Sequence, residues 1–272
     1  MMLLGDVAIM GGGCYGSFYL GQLERARAKG AVEYRRLLIV DHDPQSRASR
    51  LPPDAQRVIA VADWSEFLDG WLVPGERDSG GRSDTIVPTP LMPHLLADWL
   101  ERRARSRWPD RVVERVRPEL PMGTPYDRMH TDGVRYVSFA DWLCPMHCVE
   151  PAICPAIGAP RSWEMGDAVK EWSGLLGRTH PMATEPALFT CRHAVYGVGM
   201  YPAHLAFSGL DSLATVADTP AGGALVIGSI SACHGAVAVL RVGPAPAGEP
   251  AGRPDVLYSR DSAGADLSRE RL

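Results

Sequence analysis

Apolar and polar positions along the first hundred residues switch between the period of a buried strand and that of an amphipathic helix. The run Asp6-Val7-Ala8-Ile9-Met10 is continuously apolar after its first residue, as a strand covered on both faces would be. It leads into Gly11-Gly12-Gly13-Cys14-Tyr15-Gly16, a helix-like stretch, and a second apolar run, Leu37-Leu38-Ile39-Val40, closed by Asp41. Arg57 to Ala62 predicts a third strand with Asp63 at its end. Trp64 to Leu72 predicts a short helix with Trp64, Phe67, Leu68 and Trp71 on one face. A surface loop is expected over 74–83, a fourth strand over Asp84–Pro88, and a helix from Pro93 to about Arg105. Strands alternating with helices predict a parallel sheet with right-handed crossovers.

Past residue 110 the pattern loosens. Val112 to Val116 and Val134 to Phe139 predict strands, and Asp167 to Leu176 a helix. Ala187 to Tyr196 predicts a strand, Pro202 to Val216 a helix, and Ala224–Ser229 and Ala236–Val242 two final strands. From Gly243 onward Pro, Ala, Gly and charged residues dominate, as in a tail with little fixed structure. The expected fold class is α/β. A Rossmann-like parallel sheet with helices on both faces would occupy 1–108, and a C-terminal α/β portion carrying a Cys-rich loop (144–155) would occupy 109–243, with a flexible tail at 244–272.

Strand, glycine turn, helix, strand and acid is the order of a dinucleotide-binding βαβ unit. In that reading Gly11 permits the tight turn, Gly13 lets a pyrophosphate approach the backbone, and Gly16 lets the helix pack closely on the strand. Asp41, thirty residues beyond Gly11, would accept hydrogen bonds from the adenosine ribose. The stretch from Val7 to Gly16, with Leu38-Ile39-Val40-Asp41 after it, resembles the NAD-binding domains of potassium-uptake regulators (the TrkA N-terminal type). It is similar as well to saccharopine-dehydrogenase-like Rossmann domains. The resemblance covers about the first hundred residues and implies that Gly11, Gly13, Gly16 and Asp41 hold NAD, with NADP disfavoured because a carboxylate would repel its 2′-phosphate. Cys14 departs from the residues usual at that place, and the chain after residue 110 follows neither family.

Composition narrows the class. The chain has 272 residues, 46% hydrophobic and 22% charged, which is ordinary for a globular protein. A net charge of −4 and the lack of a dominating Lys/Arg field argue against a nucleic-acid partner. No apolar run is long enough to span a bilayer and no basic segment precedes an apolar core at the N-terminus, so a cytoplasmic location is expected. Three of the six cysteines, Cys144, Cys148 and Cys154, fall with His147 in eleven residues stiffened by proline. In a reducing compartment such a knot suits zinc or an iron–sulfur cluster, with Cys191 or Cys233 as a distant fourth ligand. Redox-active thiols and small buried thiols are the other readings of the same residues.

Three histidines stand at predicted element ends where open α/β sheets bind ligands. They are His94 at a helix start after the fourth strand, His193 in Cys191-Arg192-His193, and His234 in Ser231-Ala232-Cys233-His234. Each is a candidate acid or base, since imidazole titrates near neutrality, and each is equally compatible with a histidine that only satisfies a turn. Together these features point to an NAD(P)-dependent oxidoreductase with a cysteine-ligated metal, acting on a small-molecule substrate. The rival is a nucleotide-sensing or scaffold protein that turns nothing over. A homodimer is one open arrangement.

Overall fold

The computed structural model describes residues 1–73, 78–79, 82–88, 94–144, 148–180 and 182–246. The chain begins β1 (Met2–Met10), α1 (Cys14–Ala28), β2 (Val32–Glu33), β3 (Arg36–Asp41), β4 (Arg57–Val61), α2 (Trp64–Trp71), β5 (Asp78–Ser79), β6 (Arg82–Val87) and α3 (Leu95–Arg107). It continues with β7 (Val113–Val116), β8 (Tyr126–Met129), β9 (Val134–Ser138), β10 (Ile153–Cys154), β11 (Ala159–Pro160) and α4 (Met165–Thr179). The last elements are β12 (Ala183–Thr190), β13 (Arg192–Val195), β14 (Val198–Pro202), α5 (Leu205–Ala217), β15 (Gly223–Ile230) and β16 (His234–Val242).

Two sheets organise the molecule. In the first, β4, β3, β1 and β6 run parallel in that spatial order, and the β13–β14 hairpin extends the edge antiparallel to β6. Alternation along its buried strands fixes what each face meets. Val7, Ile9, Leu37 and Ile39 pack on Leu20 and Leu23 of α1. Their neighbours Ala8, Met10, Leu38 and Val40 turn to the other side, toward Phe67 and Trp71 of α2 and Trp99 of α3. Helices therefore cover both faces, as the continuous apolar runs require.

The second sheet is mixed, in the order β12-β15-β16-β9-β8 with β7 also on β16. Among the described residues β12 and β15 pair in parallel and the other pairs of this sheet are antiparallel, which the sequence did not foretell. α3 and α5 fill the space between the sheets, where Trp99, Leu100, Leu210 and Leu213 share one core with Leu225 and Leu240. α4 covers the far face, placing Val169, Trp172 and Leu176 on Val226, Val237 and Val239.

The segment expected as one strand over 187–196 is broken at Cys191. Cys191 N–H donates to Ile230 O in the second sheet at 2.7 Å, and the next residue already begins β13 in the first. The two-residue turn Tyr196-Gly197 has φ of 46° and 76°, the left-handed pair that a tight hairpin needs. Cys191 is thus the crossing point between sheets, and His193 lands at their junction. The Asp6 that opens the first apolar run is wholly buried, with its carboxylate 2.7 Å from Arg35 and 2.5 Å from Arg36. Among the described residues no helix is long and apolar enough to cross a membrane. Most of the loop expected at 74–83, and the tail beyond 246, lie outside the described residues.

Candidate active site

The glycine turn is built as tightly as its sequence suggests. Gly11 has φ +101°, and a Cβ on Gly16 would stand 1.7 Å from Gly11 O, so α1 starts in contact with the turn. A Cβ on Gly13 would meet nothing within 4 Å, and Gly13 is exposed beside the first N–H groups of α1. That space would admit a phosphate group. Asp41 is buried, and its carboxylate is already engaged. Oδ2 accepts Gly12 N–H at 2.7 Å and Oδ1 accepts Asp43 N–H at 2.9 Å. The following segment folds onto the turn, with Ala48 N–H donating to Gly12 O at 2.9 Å. Asp41 therefore orders the loop, whatever it does for a ligand. Asp41→Ala is expected to cost about 1.5–3 kcal/mol for each charge-assisted bond lost, read as a shift of the urea midpoint; an unchanged midpoint would contradict this role.

A cavity of about 500 Å³ opens where the two sheets meet. Tyr19 of α1 and Pro88 after β6 bring the first sheet to it, and Tyr136, Ser229, Ser231 and His234 bring the second. His193 and Cys191 line it from the crossover. Its size and its mixture of aromatic walls with a few convergent polar groups suit a small molecule.

Behind this wall, next to His193 and Ser231, lies Glu150. Its backbone has φ +49°, uncommon for a residue with a Cβ, and its side chain is carried inward. Oε2 accepts Ala232 N–H at 3.2 Å and stands 3.6 Å from His193 Nδ1, an ion-pairing distance just beyond a hydrogen bond. Burial alone would raise the Glu150 pKa. The His193 ring, the Ser231 hydroxyl and the Ala232 N–H outweigh it and hold the carboxyl down at about 2. Glu150 is therefore an anion throughout the physiological range, standing directly behind the His193 ring. Burial pushes the Cys191 thiol up to about 12, with the Glu150 charge adding to the effect, so Cys191 is a neutral wall group.

His234 is held below its ordinary 6.5 by burial, with His193 adding to the shift and Glu150 opposing it. In the unfolded chain it would take up a proton near that value while the folded form resists. The unfolded state then binds more protons, so stability falls as pH drops through and below 6.5. Melting curves between about pH 8 and about pH 5.5 are expected to show this loss in the wild type and a smaller one in His234→Gln. Identical slopes would contradict it.

Of the three histidines named from sequence, His193 and His234 come together and His94 does not. His94 caps α3, its carbonyl accepting Ala97 and Asp98 N–H groups, and it is not among the described residues lining the cavity. Of the metal candidates, His147 lies outside the described residues. Cys144, Cys148 and Cys154 lie in one loop region, and none of the six cysteines forms a disulfide. Among the described residues no group of three or more His, Cys, Asp or Glu side chains is placed so that it could hold a metal ion. Glu150 and Ser231 were missed as site residues; only their sequence positions beside Cys148 and Cys233 hinted at them.

The geometry so far defines a two-sheet α/β protein with His193, backed by Glu150, on the wall of a junctional cavity. The model of a family described as "Uncharacterized protein, C-terminal domain" matches residues 96–243, so this chain belongs to that family. The match runs from α3 to β16 and includes Glu150, His193 and His234. No curated protein and no solved structure matches the chain.

Proposed function

We propose that this protein is an NAD(P)-dependent oxidoreductase whose small-molecule substrate sits in the junctional cavity. The observation that carries the reading is that one wall joins Pro88, at the carboxyl end of β6, to His193 backed by the Glu150 anion. In a parallel order β4-β3-β1-β6, ligands lie outside the carboxyl ends of the strands, where the connections from β1 diverge. A dinucleotide on the Gly11–Gly16 turn would place its far end toward β6 and the cavity. The fit is good at Gly13, where space is open, and at Gly16, where the helix start is close. At Asp41 two of the carboxylate's lone-pair positions are taken, leaving the others to face a ribose, which would favour NAD over NADP.

The nicotinamide, when bound, supplies the site for hydride gain or loss. The chain's own groups handle the proton. His193 takes it from a substrate hydroxyl, or returns it to a carbonyl, and Glu150 stabilises the imidazolium that forms. His234, on the same cavity wall, would donate or accept a hydrogen bond at the substrate. Soft metal chemistry at the cysteine loop, zinc or iron–sulfur, belongs to the same reading, as does a cytoplasmic setting.

A second reading has one observation in its favour. Asp41 and the 43–50 segment close on Gly12 from within the protein, which suits a turn that senses a nucleotide or simply shapes the fold. Calorimetry with NAD and NADP, followed by nicotinamide absorbance with a panel of alcohols and carbonyl compounds, separates the two. The proposed enzyme binds NAD and turns over a member of the panel. Binding without turnover by any of them would favour the sensor, and no binding of either nucleotide would sink both.

A further inference from the structure

We infer that the junctional cavity takes an uncharged aromatic substrate, an aryl alcohol or the matching aldehyde or ketone, and rejects carboxylates and phosphates. The inference rests on the reading above for the reacting hydroxyl or carbonyl, and on the cavity alone for the ring and the lack of charge. Five aromatic side chains line the cavity, each from a different element: Tyr19 of α1, Tyr126 of β8, Tyr136 of β9, Phe189 of β12 and Tyr201 of β14. They stand at angles to their neighbours. Phe189 and Tyr201 meet between the two sheets with ring centres 6.2 Å apart and planes tilted by 35°, and His130 meets Tyr136 edge-on at 5.1 Å. Rings set this way offer a flat guest both faces and edges, the offset and edge-to-face arrangements that aromatic pairs prefer. The volume of about 500 Å³ leaves room for a fused-ring guest.

Charge is kept off this wall. No Lys, Arg, Asp or Glu is among the described residues that line it. Strand alternation turns neighbouring cations elsewhere. Arg192 precedes His193 on β13, so it projects from the other face, and it is exposed. Arg135 precedes Tyr136 on β9, and its guanidinium pairs with Asp127 and lies over the Trp172 ring of α4. Arg128 shares the β8 face of Tyr126 and His130, but it is exposed, 5.9 Å over the Tyr126 ring, and does not line the cavity. Burial pushes the Tyr19 phenol up to about 12 and raises Tyr201 as well, so both stay neutral.

A carboxylate or phosphate inside would give up its hydration with no fixed cation to replace it, a cost that no contact there repays. Glu150 adds repulsion. Its carboxylate stands 3.6 Å from His193 Nδ1, so any charge that His193 takes is answered from behind the wall and not from the guest. Beside His193 the wall is small, since a Cβ on Gly199 would come within 3.3 Å of the imidazole. A hydroxyl carried on a ring can therefore reach it. On oxidation the carbon-bound hydrogen leaves as hydride to the nicotinamide and the hydroxyl proton goes to His193, so the product is the neutral carbonyl compound.

Calorimetry of the full-length protein without nucleotide, at about pH 8 where a carboxylate is fully ionised, tests the class with 2-naphthylmethanol, 2-naphthoate and decahydro-2-naphthylmethanol. The aryl alcohol is expected to bind at least about tenfold more tightly than the carboxylate. It is expected to bind about two- to tenfold more tightly than its ring-saturated analogue. Tyr136→Leu keeps an apolar wall but removes one ring, and is expected to weaken the aryl alcohol several-fold. Should that variant fail to fold, magnetisation transfer from the bound alcohol to tyrosine ring protons of the wild type locates it in the cavity. Naphthoate or the saturated analogue binding as tightly as the aryl alcohol would overturn the inference. So would an aryl alcohol that does not bind, or one whose affinity Tyr136→Leu leaves unchanged. A preference for naphthoate would leave the nucleotide reading standing, whereas failure of NAD to bind would end that reading and leave the ligand class intact.

Discussion

Gly16→Ala is expected to be severely destabilising, whereas Gly13→Val, three residues away, leaves the fold intact and removes nucleotide binding. A Cβ at Gly16 would press to 1.7 Å of Gly11 O and 2.8 Å of its carbonyl carbon, both backbone atoms that no side-chain rotation relieves. α1 would have to move off the turn, breaking its packing of Leu20 and Leu23 on Ile9 and Ile39. Overpacking against backbone costs on the order of 3 kcal/mol or more, which corresponds to a melting point lower by roughly 10 °C. Gly13 has open space around it and a φ of −73°, and although its ψ of −149° lies outside the ordinary α and β wells, a valine there meets no steric clash and costs only a local backbone adjustment. Its isopropyl group would stand over the first N–H groups of α1, where the proposed reading puts the pyrophosphate. Thermal melts and calorimetry on the two variants check the pair. A stable Gly16→Ala would mean that the contact yields, and undiminished NAD binding by Gly13→Val would take the turn out of the binding site.

Glu150→Gln and His193→Ala are expected to lower turnover by about two to four orders of magnitude, the range for removing a positioned acid–base group. Gln at 150 preserves shape and still offers an oxygen to Ala232 N–H, so loss of fold is not the expected cause. What it removes is the charge opposite His193 Nδ1. A nucleotide affinity within about twofold of wild type in both variants is expected alongside the loss, because the proposed pyrophosphate and ribose contacts lie at the Gly11–Gly16 turn and Asp41 and only the nicotinamide end reaches these residues. Turnover near the wild-type level in Glu150→Gln would remove the pair from the chemistry.

The first sheet was legible because its strands are buried on both faces. Val7 to Met10 and Leu37 to Val40 have no polar side to conceal, and each ends at a residue with a local job, Gly11 in the turn and Asp41 under it. The second sheet was harder, since antiparallel pairing leaves short strands whose partners are set by distant contacts. Tyr126–Met129 has little apolar content, and Val198–Pro202, left unassigned between an expected strand and an expected helix, is a strand because it pairs with Ile86 and Thr85. Glu150 was invisible for the same reason. Its role depends on a left-handed backbone and on Ala232, eighty-two residues away. Asp41 illustrates the opposite case, in which a motif assigned a ligand contact and the fold also gives the carboxylate to Gly12 and Asp43. Sequence left Cys191 and Cys233 equivalent as distant partners of the cysteine loop. The break between β12 and β13 separates them, sending Cys191 to the cavity wall and leaving Cys233 beside Trp163.

The central claim is that one nucleotide would link the glycine turn to the junctional cavity, and hydrogen exchange with and without NAD tests it most directly. The account predicts slowed exchange in two separate places: the amides of Gly12 to Ser17 at the start of α1, and those of Ser229 to Gly235 on the cavity wall. Protection at neither, with NAD present in large excess over the protein, would contradict it. Protection confined to the glycine turn would contradict it too, because the nucleotide would then end short of His193 and Glu150.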